Sequence, residues 1–189
     1  MKGVYIFLAD GFEDMEALGT LDVLRRGGIP VKTVSVTGDP AVTSSRGVTM
    51  FVDELLEDLR DVHVTSGAED VMIFPGGMPG SKTLAAHKDL MALMKEHYGA
   101  GGTVAAICAA PGLVLAQLPG LKGLKFTCFD GFEDFLLAEG AVYVPEGTVT
   151  DGRVITGRGA GHAIGFGLAI LDYLSGPAAV AKVRAGLML

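Results

Sequence analysis

Cysteine is scarce in this sequence, which contains only Cys108 and Cys128 among 189 residues. Two cysteines do not supply the disulfide framework of a small secreted domain. Neither a C-x-x-C pair nor a His-rich spacing predicts a structural metal site. The chemistry of this chain at cysteine therefore depends on the reactivity of each individual thiol.

Positive charge and long apolar runs are also lacking. Fifteen basic and 22 acidic residues give a net charge of −7, and no basic run exceeds the pair Arg25-Arg26. Nucleic acids and anionic membranes are therefore not expected partners. No stretch approaches the ~20 consecutive apolar residues of a membrane span. The N-terminal apolar run lacks a secretory cleavage site, so we expect a cytoplasmic protein.

Hydrophobic residues, at 49% of the chain, alternate between strand-like and helical patterns, which suits one domain over residues 1–189. We predict strands at 3–9, 30–36, 47–52, 70–77, 103–107, 124–129, 141–144, 148–150 and 153–156. We predict helices at 12–26, 81–97, 109–118, 133–139, 160–174 and 177–187, with a short helix or loop at 53–60. This alternation predicts an α/β fold whose parallel sheet is covered on both faces.

Three loops have unusual sequences and follow predicted strands. They read "ADGFEDME" at 9–16, "PGGMPG" at 75–80 and "CAAPG" at 108–112. Ligand sites in parallel sheets lie beyond the carboxyl ends of the strands, so we expect these three loops to meet in space.

Cys108 stands between a short apolar strand and a stretch that could begin a helix, with Pro111 in its first turn. A thiol at a helix start lies near the positive end of the dipole and near free N–H groups, which favour the thiolate. Free cysteines are also among the most buried residues and often act as small hydrophobes. Position alone leaves both interpretations open, whereas Cys128, in an apolar strand, is expected to be buried and inert.

Glu16 differs from the other acidic residues of its loop. Glu13 and Asp14 fit solvated charges that complement a helix N-terminus. Glu16 falls among the apolar residues of 15–18, where burial would raise its pKa and keep it protonated. A neutral carboxylic acid could donate a hydrogen bond to a thiolate and later exchange a proton with a substrate.

Glycines form a third element of the candidate site. The turn containing Gly76 and Gly77 could aim N–H groups at a developing oxyanion, as could the amide of Ala109, although a plain tight turn is the alternative. Neither GxGxxG nor a P-loop lysine is present, which argues against phosphate binding.

The histidines offer less. His63, His87 and His97 lie in polar contexts and are expected to be solvated. His162 opens a predicted helix beside glycines, where it either reaches the site or stays on the surface. Spacing alone does not establish a Cys-His-Asp triad.

Four motifs together resemble one known family. "LADGFEDMEAL", "DVMIFPGGMPG", "VAAICAAPGLVLA" and "VITGRGAG" occur in the order and at the separations of the ThiJ/PfpI superfamily, and within it of the Parkinsonism-associated deglycase branch. The resemblance runs along nearly the whole chain. It implies a flavodoxin-like three-layer α/β/α sandwich, related to class I glutamine amidotransferases, with a mostly parallel sheet, a nucleophile elbow and a homodimeric assembly.

The resemblance also assigns residues. The reactive, easily oxidised cysteine of the family maps onto Cys108, its acidic partner onto Glu16, and its oxyanion amides onto Gly77 and Ala109. As binding residues we include Gly76, Arg158 and His162, together with Arg46 in "SSRGV", which matches an arginine that approaches the partner subunit's site.

The chain departs from the family pattern at two positions. Peptidase-type members carry His directly after the nucleophile, where this chain has Ala109. Some deglycase-like members place a His in the strand after the elbow helix, where this chain has Phe129. These departures weigh against a cysteine peptidase and against a mechanism that uses the second His.

Two functions remain open at this stage. The first is a cofactor-independent glyoxalase or deglycase-type enzyme for stress protection, in which Cys108 adds to a small α-oxoaldehyde such as methylglyoxal, Glu16 moves a proton, and lactate is released. The second is a redox-sensing or chaperone-like stress protein that uses oxidation of Cys108. Both depend on the same two residues.

Overall fold

The computed structural model describes residues 2–59 and 66–189. The strands in this part of the chain are β1 (Val4–Leu8), β2 (Val31–Ser35), β3 (Ala41–Thr43), β4 (Thr49–Phe51), β5 (Glu54–Leu55), β6 (Val71–Phe74), β7 (Thr103–Ile107), β8 (Lys125–Phe126), β9 (Val142–Tyr143), β10 (Thr148–Asp151) and β11 (Val154–Gly157). The α-helices are α1 (Asp14–Arg26), α2 (Gly80–Ala86), α3 (Lys88–Gly99), α4 (Ala110–Leu113), α5 (Asp134–Leu137), α6 (Ala163–Ser175) and α7 (Pro177–Gly186). Leu56–Leu59, Leu115–Gln117 and Ala160–His162 form 3-10 turns.

A seven-stranded sheet in the order β10-β11-β7-β6-β1-β2-β5 forms the centre of the described fold. Its strands are parallel except for β10, which pairs antiparallel with β11. The mostly parallel α/β/α architecture predicted from the sequence is therefore confirmed, and its topology is flavodoxin-like. Outside this sheet, β3 and β4 form a separate hairpin and β8 pairs with β9.

Side chains alternate between the two faces of the sheet and build two cores. Tyr5, Phe7, Met72, Phe74 and Val104 pack toward α2, α3 and α4. The alternate residues of the same strands pack toward α1, α6 and α7. Nearly continuous burial of β1, β6 and β7 explains why these strands appear in the sequence as unbroken apolar runs.

Helix α1 is capped at both ends. The Glu13 side chain accepts a hydrogen bond from the Glu16 amide at 2.9 Å, and Arg25 and Arg26 lie in the last turn. The helix packs closely on α6 because Gly167 has no side chain: a Cβ there would lie 2.9 Å from Val23 Cβ. Capping and close packing fix the buried face of α1, which carries Glu16.

Two predictions between residues 81 and 97 are wrong. The single helix predicted there is divided at His87, whose extended backbone ends α2 and whose Nδ1 accepts from the Leu90 amide at 3.3 Å. His97 is fully buried rather than solvated. Its Nδ1 lies 2.9 Å from Ser66 Oγ and its Nε2 lies 3.0 Å from the Thr103 carbonyl, and burial lowers its pKa. His63 lies outside the described residues.

None of the helices in the described ranges has the length and apolar character that a membrane crossing requires.

Candidate active site

Cys108 occupies a sharp turn between β7 and α4. Its φ of 66° is in the left-handed region, which residues other than glycine seldom adopt. Two hydrogen bonds hold this conformation: the Cys108 amide donates to the Gly157 carbonyl at 3.0 Å, and the Cys108 carbonyl accepts from the Phe129 amide at 2.9 Å. A nucleophile on a strained strand-to-helix turn is the geometry of a nucleophile elbow.

Glu16 projects from the buried face of α1 and is 1% exposed. Its Oε2 accepts a hydrogen bond from the Gly76 amide at 2.7 Å. Its Oε1 is buried without an N–H or O–H donor among the described residues. The Cys108 side chain lies on the other side of the Gly76 backbone gap from this carboxyl, close enough to affect its pKa.

Burial raises the pKa of Glu16 to about 7, against the opposing effects of the hydrogen bonds from Cys108 and Gly76. The raised pKa expected from the sequence is confirmed. A carboxyl with a pKa in this range is present in both protonation states near neutral pH, which suits a group that both takes and returns a proton.

The helix-dipole argument for a Cys108 thiolate does not hold in this structure. Helix α4 has only four residues, so its dipole is small. Burial raises the pKa of the Cys108 thiol to about 12, and the Glu16 carboxyl acts in the same direction. The amides of Ala109 and Gly77 act in the opposite direction. Because the Glu16 contribution requires an ionised carboxyl, protonation of Glu16 removes it and leaves the two amides facing the sulfur.

Two glycines make this arrangement possible. A Cβ on Gly76 would lie 2.5 Å from both Cys108 Cβ and Glu16 Oε2, so any side chain here would separate the pair. Gly77 has a φ of 89°, and a Cβ there would collide with the backbone of the first loop. The Glu13 amide also donates to the Gly76 carbonyl at 3.0 Å. The predicted meeting of the three loops is therefore confirmed.

Arg158, His162, Arg46 and Cys128 make contacts of their own around the site. Arg158 lies next to the end of β11 and forms an ion pair with Asp130 at 2.9 Å. His162 is exposed, and its ring packs on Gly147. Arg46 is exposed on the turn between β3 and β4, and its approach to a partner's site stays a prediction. Cys128 is fully buried, as expected.

Sequence reasoning missed two contributors to the elbow. Gly157 and Phe129 supply the backbone groups that bind both sides of Cys108. The absence of a histidine at position 129 drew attention to that residue, but nothing in the sequence indicated its backbone contact.

The fold and the site define a flavodoxin-like α/β domain with a cysteine at a nucleophile elbow beside a buried carboxyl. The family model described as "DJ-1/PfpI family" matches residues 2–173. The chain therefore belongs to the DJ-1/PfpI family.

Individual proteins give the same result. The chain is 36% identical over its full length to Protein DJ-1 homolog A of Arabidopsis thaliana, but it spans 47% of that protein's length. It is 34% identical to a Caenorhabditis elegans protein named glutathione-independent glyoxalase DJR-1.2, covering 87% of this chain and 84% of the relative. The crystal structure of Drosophila melanogaster DJ-1beta superposes with a TM-score of 0.89 at 34% identity, covering 100% of this chain and 98% of that one.

Proposed function

We propose that this protein is a cofactor-independent enzyme that converts small α-oxoaldehydes, such as methylglyoxal, into 2-hydroxy acids, such as lactate. The observation that carries the proposal is the placement of Cys108 beside Glu16, a nucleophile next to a buried carboxyl of pKa about 7. The similarity to the C. elegans protein named a glyoxalase supports the same chemistry. Related deglycase activity on aldehyde adducts would use the same first step.

The reaction begins when Cys108 sulfur bonds to the aldehyde carbon. Ionised Glu16 takes the thiol proton and passes it to the aldehyde oxygen, which gives a hemithioacetal and leaves Glu16 ionised again. The amides of Gly77 and Ala109, which face the sulfur, are placed to stabilise negative charge on the oxygen beside it.

The second stage moves hydrogen within the bound substrate. Glu16 removes the proton from the former aldehyde carbon to give an enediol, and a proton returned to the neighbouring carbon produces a thioester. Water then cleaves the carbon–sulfur bond, releasing the hydroxy acid and restoring the thiol. Substrate and water together contain every atom of the product, so no oxidant or reductant is consumed.

The test is lactate formation from methylglyoxal by the wild-type protein and by Cys108→Ser. We expect the variant to lose activity by about 1,000-fold or more, as when other enzymes lose their nucleophile. Cys128→Ser is the matched control because Cys128 lies outside the site and should retain activity. Full lactate formation by Cys108→Ser would overturn the proposal.

The second candidate function is redox sensing through oxidation of Cys108 to a sulfinate. Its supporting observation is that the Gly77 and Ala109 amides and the Glu16 carboxyl converge on one sulfur, where they could hold added oxygens. Intact mass after mild peroxide treatment tests it: addition of oxygen at Cys108 supports sensing, and an unchanged mass argues against it.

The contacts of the described histidines argue against a cysteine peptidase, which needs a histidine beside its nucleophile. Among the three described, His87 caps α3, His97 contacts Ser66 and Thr103, and His162 packs on Gly147. A null result on unfolded casein would exclude this function.

We also propose a cytoplasmic homodimer as the working form. Helix α1 exposes Met15 and Leu18, and the neighbouring hairpin exposes Val48 and Phe51. Ser44 connects the two elements through a 2.6 Å hydrogen bond to Asp14. Apolar side chains concentrated on adjoining elements suit contact with a second copy.

A further inference from the structure

Phe129 combines an anchored backbone with an exposed ring. Its amide is bound to the Cys108 carbonyl, and its own carbonyl accepts from the Phe132 amide at 3.1 Å. The side chain nevertheless remains 50% exposed. A large apolar ring held open beside a nucleophile is a costly arrangement unless something covers it, because exposed aromatic surface forgoes the benefit of burial.

The exposed ring forms one wall of a pocket of about 350 Å³. Asp130, Arg158 and the 159–162 segment form the rest of the wall. Both parts of the wall adjoin the elbow. The Phe129 amide donates to the Cys108 carbonyl, and Arg158 follows Gly157, whose carbonyl accepts from the Cys108 amide. The pocket therefore adjoins the elbow without including the Cys108 side chain in its wall. The volume lies in the range of small-molecule sites and greatly exceeds what a methyl group fills.

The pocket wall combines an aromatic ring with an ion pair, three small residues and His162. Phe132 contacts the Phe129 ring edge-on, with centroids 6.5 Å apart, which supports the ring from another side. Gly159 leaves room against the ring, since a Cβ there would lie 3.4 Å from Phe129 Cδ2. The one arginine of the wall is paired with Asp130, so its charge is already compensated. Neutral, flat substituents are therefore favoured over anionic ones.

We propose that Phe129 is a specificity-determining residue, and that the pocket it walls selects α-oxoaldehydes with an aromatic substituent over methylglyoxal. This inference rests on the proposed function, because the pocket acts on a substrate that Cys108 has bound. The overall reaction on phenylglyoxal adds one water and gives mandelate, with the same bonds made and broken as for methylglyoxal.

The experiment compares kcat/KM for phenylglyoxal and for methylglyoxal in the wild-type protein, Phe129→Ala and Phe135→Ala. We expect the wild type to prefer phenylglyoxal, and Phe129→Ala to lower the ratio of the two kcat/KM values by about tenfold or more, since the lost contacts are made mainly by the aromatic substituent. Phe135 is the matched control, a similarly exposed phenylalanine on α5 that does not line the pocket. Its replacement should leave the ratio unchanged.

The outcomes separate this inference from the function on which it rests. Cys108-dependent turnover of both substrates without a preference for phenylglyoxal, or with an unchanged ratio in Phe129→Ala, overturns the inference alone. An equal fall of the ratio in Phe135→Ala also overturns it. Turnover of neither substrate, or turnover that survives Cys108→Ser, overturns the proposed function and this inference with it.

Discussion

The amide of Gly76 donates to Glu16 Oε2 at 2.7 Å, while the space where a Gly76 side chain would stand separates that carboxyl from Cys108. One residue thus orients the acid through its backbone and admits the thiol through its lack of a side chain. The close approach of Glu16 to Cys108 depends on both properties.

Removing the carboxyl should stop proton transfer while keeping the shape of the site. We expect Glu16→Gln to lower kcat/KM for methylglyoxal by about 100-fold to 10,000-fold, the usual contribution of a general acid–base group. Steady-state lactate formation measures the loss. Asp22→Asn is the control, an exposed acidic residue on the same helix that pairs with Arg26. Activity in Glu16→Gln equal to that of Asp22→Asn would remove Glu16 from the mechanism.

The raised pKa of Glu16 should also make stability depend on pH. The folded protein binds the Glu16 proton up to about pH 7, whereas the unfolded chain releases it near 4.5. The free energy of unfolding contributed by this group therefore falls as pH rises through this window, by about 3 kcal/mol in all. Glu16→Gln should flatten the curve and be the more stable protein above pH 7. Urea unfolding across the window measures it, and a wild-type slope retained by the variant would contradict the assignment.

Filling the gap at Gly76 should damage the site directly. We expect Gly76→Ala to lose about 1–3 kcal/mol of stability through overpacking and about 100-fold or more in activity through displacement of the thiol or carboxyl. Thermal unfolding and lactate assays provide the two measurements. Gly99→Ala is the control, because a Cβ at Gly99 meets no atom within 4 Å. If Gly76→Ala matched Gly99→Ala in both assays, the close approach of Cys108 and Glu16 at Gly76 would not matter for stability or activity.

The apolar surface of α1 and the β3–β4 hairpin should hold two copies together. Phe51 is 78% exposed on the hairpin, and a buried unpaired charge opposes association. We therefore expect Phe51→Asp to sediment as a monomer at concentrations where the wild type is a dimer. Phe135→Asp introduces the same charge at an exposed phenylalanine of α5 and should leave the dimer intact. A monomeric wild type would refute the assembly.

Much of the fold follows from local sequence patterns. The strands β1, β6 and β7 are buried on both faces, so their apolar runs were unambiguous. The break at His87 was not visible, because the buried Leu84 and Met91 stand seven residues apart and continue a helical spacing across it. The burial of His97 depends on hydrogen bonds to Ser66 and Thr103, which the sequence pattern around it does not reveal.

The candidate site was predictable in its residues and less so in its electrostatics. Cys108, Glu16 and the glycine turn were found from their places after strands and among apolar neighbours. The pKa of Cys108 could not be inferred in that way, since it depends on burial and on the ionisation of Glu16. The contact between Phe129 and Cys108 joins two backbone groups, and backbone pairing of this kind leaves no trace in residue type.

The seven-stranded sheet ends at β5, which has two residues and carries Glu54 in an ion pair with Lys32 of β2. An edge this short and charged offers few free N–H and C=O groups to a strand from another molecule. The described edge is therefore protected against the strand-by-strand growth that leads to fibrils. At this edge, contact between copies is left to side chains such as those of Lys32 and Glu54.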